Sequence, residues 1–94
     1  MADFQTRRYL ISGRVQGVGF RWFVEREAAI IGVKGWVRNC ENGDVEVMAT
    51  GTGEQHHSLR RRLQQGPRAA RVDRVDEWPA PFLESPSFRI EGVW

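Results

Sequence analysis

The segment Gly13-Arg14-Val15-Gln16-Gly17-Val18-Gly19-Phe20-Arg21 combines a pliant backbone with a fixed cation. Its glycines let successive N–H groups turn toward one point, and a helix opening at Phe20 has no Ser, Thr, Asp or Asn before it to cap its first turn. Those N–H groups are then available to an external anion. With the Arg21 guanidinium adding bidentate, charge-assisted bonds, the segment has the chemistry of a phosphate site. The same residues also fit a plain strand-to-helix turn followed by a solvated arginine, and spacing alone leaves both readings open.

Other phosphate loops do not fit. Val18 stands where the nucleoside-triphosphate loop needs its second glycine, and Gly17-Val18-Gly19 lacks the third glycine of a dinucleotide fingerprint. Val15 stands where a cysteine phosphatase would place its thiol, so the loop holds no nucleophile. His56 and His57 project about 100° apart on a helix, which rules out an i, i+4 metal pair and makes both expected surface residues. Arg60-Arg61-Arg62 falls in the last turns of a helix, where cations complement the helix dipole, and is not read as a nucleic-acid contact. Arg14 and Arg38 are expected as structural or peripheral charges, Cys40 as a half-buried strand residue, and Trp36, Trp78 and Phe88 as core.

The elements that position these residues follow from periodicity. Arg8 to Val15 alternates, with Tyr9, Ile11, Gly13 and Val15 on one side, and predicts the first strand. Phe20, Phe23, Val24, Ala28 and Ile31 follow helical spacing, closed by Gly32. Lys34 to Cys40 and Asp44 to Thr50 predict two strands around Glu41-Asn42-Gly43, because Asn-Gly tolerates the positive φ of a tight hairpin. Thr52 and Gln55 form a capping box for a second helix, with Leu59 and Leu63 on its stripe and Gly66-Pro67 at its end. A fourth strand runs from Val72 through Val75 to about Trp78. A loop with three prolines, Pro79 to Pro86, precedes a short fifth strand at Phe88 to Ile90.

Strand, helix, strand, strand, helix, strand, with one strand appended, predicts an α+β, ferredoxin-like βαββαβ sandwich. Its sheet is antiparallel-rich, with four to five strands and two helices on one face. Right-handed crossover makes the first two strands parallel with the third between them. Asn39, at the end of the second strand, then lies at the same sheet edge as residues 15 to 21.

The run Gly13 to Arg21, followed by Gly35-Trp36-Val37-Arg38-Asn39 and the turn Asn42-Gly43, resembles acylphosphatase, and the likeness extends to Gly66-Pro67 and Val72. It implies that Arg21 is catalytic and clamps the phosphoryl group together with the N–H groups of Val15, Gln16, Gly17, Val18, Gly19 and Phe20. It implies that Asn39 is catalytic and holds the attacking water, with no covalent intermediate, no metal and no cofactor. The substrate implied is a small acyl phosphate, released as a carboxylate and inorganic phosphate. That chemistry suits a segment without an acid or base, because a carboxylate whose conjugate acid has a pKa near roughly 4 departs with little protonation.

Composition bounds the rest. Ninety-four residues, residues 1–94, make one domain. A net charge of +2 does not demand nucleic acid, and no stretch approaches the roughly 20 apolar residues of a membrane span. One cysteine excludes an intramolecular disulfide and a Cys-based zinc site, and the N-terminus lacks a signal peptide's apolar run, so the expectation is a cytoplasmic monomer. Two rivals stand beside the enzyme: an acylphosphatase-like domain of a carbamoyl-transfer machine, and a ferredoxin-like nucleic-acid-binding module. Trp94, a few residues beyond the last strand, favours a free-standing enzyme over the first. The second would want exposed aromatics on the central strands, which Tyr9 does not offer.

Overall fold

In the computed structural model, which describes residues 3–92, the elements are β1 (Gln5–Arg14), α1 (Phe20–Ile31), β2 (Lys34–Asn39), β3 (Val45–Gly51), α2 (Gly53–Gln65), β4 (Arg71–Pro79) and β5 (Phe88–Ile90). Trp94, on which the free-standing reading leans, lies outside the described residues. The strands form one sheet in the order β4-β1-β3-β2-β5. β3 lies antiparallel between β1 and β2, so β1 and β2 run parallel as right-handed crossover requires. β5 then adds parallel to β2, which makes the sheet mixed.

Alternation along each strand decides what is buried. Tyr9 and Ile11 of β1, Val37 of β2, Val45, Val47 and Ala49 of β3, and Val75 of β4 turn to one face. There they meet Phe20, Val24 and Ala28 of α1 and Leu59 and Leu63 of α2 in one core. Glu27 of α1 reaches Arg62 of α2 at 3.3 Å across the seam between the helices.

Three expectations change at this level. β1 begins at Gln5, not Arg8, because pairing with β3 starts at Gln5 opposite Gly51; the polar run Gln5 to Arg8 hides this strand from a hydrophobic count. The hairpin is not closed by positive φ at both turn residues. Only Gly43 has it, and the Gly43 N–H donates to the Cys40 carbonyl at 3.2 Å while the Asp44 N–H donates to Asn42 Oδ1 at 3.1 Å. Trp36 and Trp78 lie not in the core but on the face away from the helices, and Trp78 is 41% exposed. A guanidinium lies over each ring: Arg8 is 5.2 Å from the Trp78 centroid, and Arg38 is 5.0 Å from that of Trp36. Both arginines also bond Glu46 between them. Burial would push the Glu46 carboxyl up, but the hydrogen bonds and charges of Arg8 and Arg38 hold it below the usual range. Phe88 is buried, as expected.

The proline-rich segment has a structural task. β4 and β5 stand at opposite edges, so residues 80–87 cross a sheet about 19 Å broad at strand spacing. Midway, the Leu83 N–H donates to Thr6 Oγ1 at 2.9 Å and the Thr50 hydroxyl donates to the Leu83 carbonyl at 2.6 Å. Thr6 and Thr50 themselves touch at 2.7 Å. The strap is thereby pinned at the end of the sheet remote from residues 14–19.

Candidate active site

At the other end of the sheet the chain leaves β1 and enters α1 through residues 15–19. Gly17 and Gly19 take φ of 72° and 78°, a left-handed conformation that a side chain would strain, and this permits the reversal from strand to helix. Gly19 is the N-cap and supplies no side-chain bond. The first intrahelical bond runs from the Phe23 N–H to the Gly19 carbonyl at 3.0 Å, so the N–H groups of Phe20, Arg21 and Trp22 have no carbonyl within the helix to bond. They gather the positive end of the α1 dipole at one spot.

That spot opens into a cavity of about 220 Å³ lined by Val15, Gly17, Gly19, Phe20, Arg21, Trp22 and Asn39. The crossover has brought Asn39, at the end of β2, beside the loop that leaves the parallel strand β1. Arg21 is partly exposed, and its Nη1 donates to the backbone carbonyl of Glu91, just past β5, at 3.5 Å. Of the residues expected to bind phosphate, Gln16 and Val18 do not line the cavity. Gln16 turns its side chain the other way, donating from Nε2 to the carbonyls of Cys40 and Asp44, each at 2.8 Å, and Val18 packs against the core. Gln16 therefore ties the loop to the β2–β3 turn.

Two participants went unread. Trp22 lines the cavity although 73% exposed, and its signal was available: it falls off the apolar stripe of α1 and directly follows Arg21. The Glu91 carbonyl left no signal, because a backbone acceptor has no residue type.

The cavity lining contains no Ser, Thr, Cys, His, Asp or Glu. Cys40 lies instead in a neighbouring cavity of about 380 Å³ with Arg38, Asn39, Glu41, Glu91 and Gly92. Burial, then the charge of Glu46, push its thiol pKa up, which disfavours the nucleophilic thiolate. Among the described residues no three His, Cys, Asp or Glu side chains gather into a group that could hold a metal.

His56 corrects an expectation of surface exposure. It is fully buried between α2 and β1, since it lies three and seven residues before Leu59 and Leu63 and so falls on the core stripe. His57 is exposed, as expected. In the arginine cluster, Arg60 bonds Glu77 at 2.8 Å and the Val75 carbonyl at 3.0 Å, so it fastens α2 to β4.

The sequence profile of the acylphosphatase family matches residues 7–90. An acylphosphatase of Koribacter versatilis is 57% identical over 91 residues, covering 96% of this chain and 83% of that one. The chain belongs to the acylphosphatase family. An acylphosphatase structure from Coxiella burnetii superposes with a TM-score of 0.91 at 32% identity, over 95% of this chain and 94% of that one. The acylphosphatase fold also occurs inside a larger protein: full-length HypF, solved in a phosphate- and nucleotide-bound form, matches with a TM-score of 0.87 at 26% identity. That match covers 98% of this chain and 12% of HypF. The five-stranded, two-helix architecture is thus the acylphosphatase, ferredoxin-like one.

Proposed function

We propose that this chain is an acylphosphatase that hydrolyses the carboxyl-phosphate bond of small acyl phosphates to a carboxylate and inorganic phosphate by direct attack of water. One observation carries the reading: a small cavity at a helix N-terminus joins one guanidinium and one carboxamide, with no nucleophile and no acid or base in its lining. Such a lining can bind and polarise a phosphoryl group but cannot protonate a poor leaving group. It suits a bond whose departing carboxylate needs no proton.

Arg21 then clamps two phosphoryl oxygens, and the amides of the cavity-lining residues Val15, Gly17, Gly19 and Phe20 take up the charge that develops on the equatorial oxygens. Asn39 accepts a hydrogen bond from the attacking water and fixes its line of approach, so catalysis is largely positioning and charge stabilisation. The reading includes no cofactor and no metal. It takes the chain as a single domain and a cytoplasmic monomer without a nucleic-acid partner, in keeping with a net charge of +2. Among the described residues no helix is long and apolar enough to cross a membrane. The 57% identity to a K. versatilis acylphosphatase, over 83% of that protein, supports free hydrolysis over the carbamoyl-transfer alternative.

The test is hydrolysis of acetyl phosphate with and without EDTA, with inorganic phosphate as competitor. Turnover that phosphate inhibits and chelation leaves intact is expected. Absence of turnover would overturn the assignment, and activity lost to EDTA and restored by a divalent cation would overturn its metal-free chemistry.

A further inference from the structure

A phosphoryl cavity does not say where the acyl group goes. Attacking and leaving oxygens lie roughly in line on opposite sides of phosphorus, so if Asn39 holds the water, the acyl group leaves on the side away from Asn39. The neighbouring cavity shares Asn39 and therefore opens on the water's side; its Glu41 and Glu91 carboxylates also offer an apolar acyl group nothing. Of the other walls, Gly17 and Gly19 present no side chain and Val15 is buried, which leaves the lip formed by the first turn of α1.

Trp22 forms that lip. Two positions after Phe20, about 200° around the helix, it points away from the core, and it is 73% exposed while lining the cavity with Arg21 and Asn39. A single exposed aromatic is unremarkable on a protein surface. This one is distinguished by its place, since Val15 and Phe20, the other large apolar residues of the lining, are both buried in the core. The indole is then the apolar surface that an acyl group would meet on leaving the phosphoryl subsite.

We infer that Trp22 is the specificity-determining residue for the acyl moiety: its indole face stacks on planar aromatic acyl groups and favours them over short aliphatic ones. The inference rests on the acylphosphatase reading for its substrate, and not for its geometry. An aromatic stack of this kind favours the larger group by about tenfold.

Two measurements test it. In the first, kcat/KM is compared for benzoyl phosphate and acetyl phosphate in the wild type, Trp22→Ala, Trp22→Phe and Ile30→Ala. Ile30 is 70% exposed and lies eight residues further along α1, about 12 Å from Trp22, so it controls for loss of surface apolar area on the same helix. The benzoyl-to-acetyl ratio should fall about tenfold in Trp22→Ala, recover largely in Trp22→Phe and stay at the wild-type value in Ile30→Ala. In the second, the affinities of benzoylphosphonate and acetylphosphonate, which carry no hydrolysable bond, are measured by calorimetry and should show the same ratio. A ratio unchanged in Trp22→Ala by both measurements overturns the role of Trp22 and leaves hydrolysis standing. Selective phosphonate binding that is lost in Trp22→Ala, without turnover of either phosphate, overturns the hydrolytic assignment and sustains the aromatic subsite.

Discussion

The Tyr9 hydroxyl lies 2.6 Å from Nδ1 of His56, between β1 and α2 and out of contact with water. On its other side the ring places Nε2 2.8 Å from the Gln5 carbonyl. A carbonyl only accepts, so Nε2 carries a proton, and in the neutral imidazole Nδ1 is then the acceptor for the Tyr9 hydroxyl, which satisfies both nitrogens. Burial pushes the His56 pKa down, against a smaller opposite pull from the Gln5 carbonyl.

The sign of the pH dependence follows. An unfolded His56 titrates near 6.5, and the folded one below that. As pH drops through 6.5 the unfolded chain takes up its proton first, so folding stability should decline from neutral pH downward, at most about 1.4 kcal/mol per pH unit. Urea unfolding from pH 7.5 to 5 would show this decline in the wild type and lose most of it in His56→Gln. A separate loss is expected on passing below pH 4.5, where Glu46 and Glu77 belong. Burial raises each, but bonds from Arg8 and Arg38, and from Arg7 and Arg60, leave both carboxyls lowered, and their contribution disappears as they protonate.

Arg21→Ala should remove about 3 to 4 kcal/mol of transition-state stabilisation, a drop of a few hundredfold or more in kcat/KM, together with most affinity for inorganic phosphate. Arg21→Lys should restore little, because an ammonium lacks the planar fork. A folded Arg21→Ala with full activity would remove the centre of the mechanism.

Asn39→Ala should separate catalysis from binding. If the carboxamide serves water and not substrate, kcat falls at least about a hundredfold while phosphate affinity and melting temperature hold. A lower melting temperature with near-normal kcat would instead make Asn39 a residue of the hairpin.

Gln16→Ala should loosen the loop without touching the substrate, because the side chain bonds only to the Cys40 and Asp44 carbonyls among its observed partners. Two lost bonds suggest about 1 to 2 kcal/mol of stability. With Arg21 and Asn39 less well fixed relative to each other, kcat should fall more than KM rises. An unchanged kcat, with only the stability loss, would confine Gln16 to a structural role.

The nearness of Arg21 and Asn39 was legible because handedness of the crossover forces their elements together, whereas residue type alone left Asn39 open to a plain turn role and only the family resemblance pointed to the site. The rest is a matter of spacing and of tertiary path. The polarity of His56 and its neighbour His57 point to the surface, but its spacing to Leu59 and Leu63 puts it on the buried stripe. Trp36 adjoins Val37 and Trp78 lies three residues from Val75, so strict alternation already turned both indoles away from the core. The strap was of another kind: its path depends on which strands occupy the edges, and no local pattern at residues 79–86 encodes that.

The strap also separates the molecule into parts that open at different free energies. β5 is three residues long and pairs with β2 alone, whereas β1 is held on both sides by β3 and β4. Amide hydrogen exchange should therefore be fastest, among the strands, at Phe88 to Ile90. Glu91 follows directly, and its carbonyl accepts a long bond of 3.5 Å from the Arg21 guanidinium, so each excursion of β5 removes this backbone contact from the arginine. Bound phosphate, which engages the same guanidinium, would slow exchange in a strand it never touches.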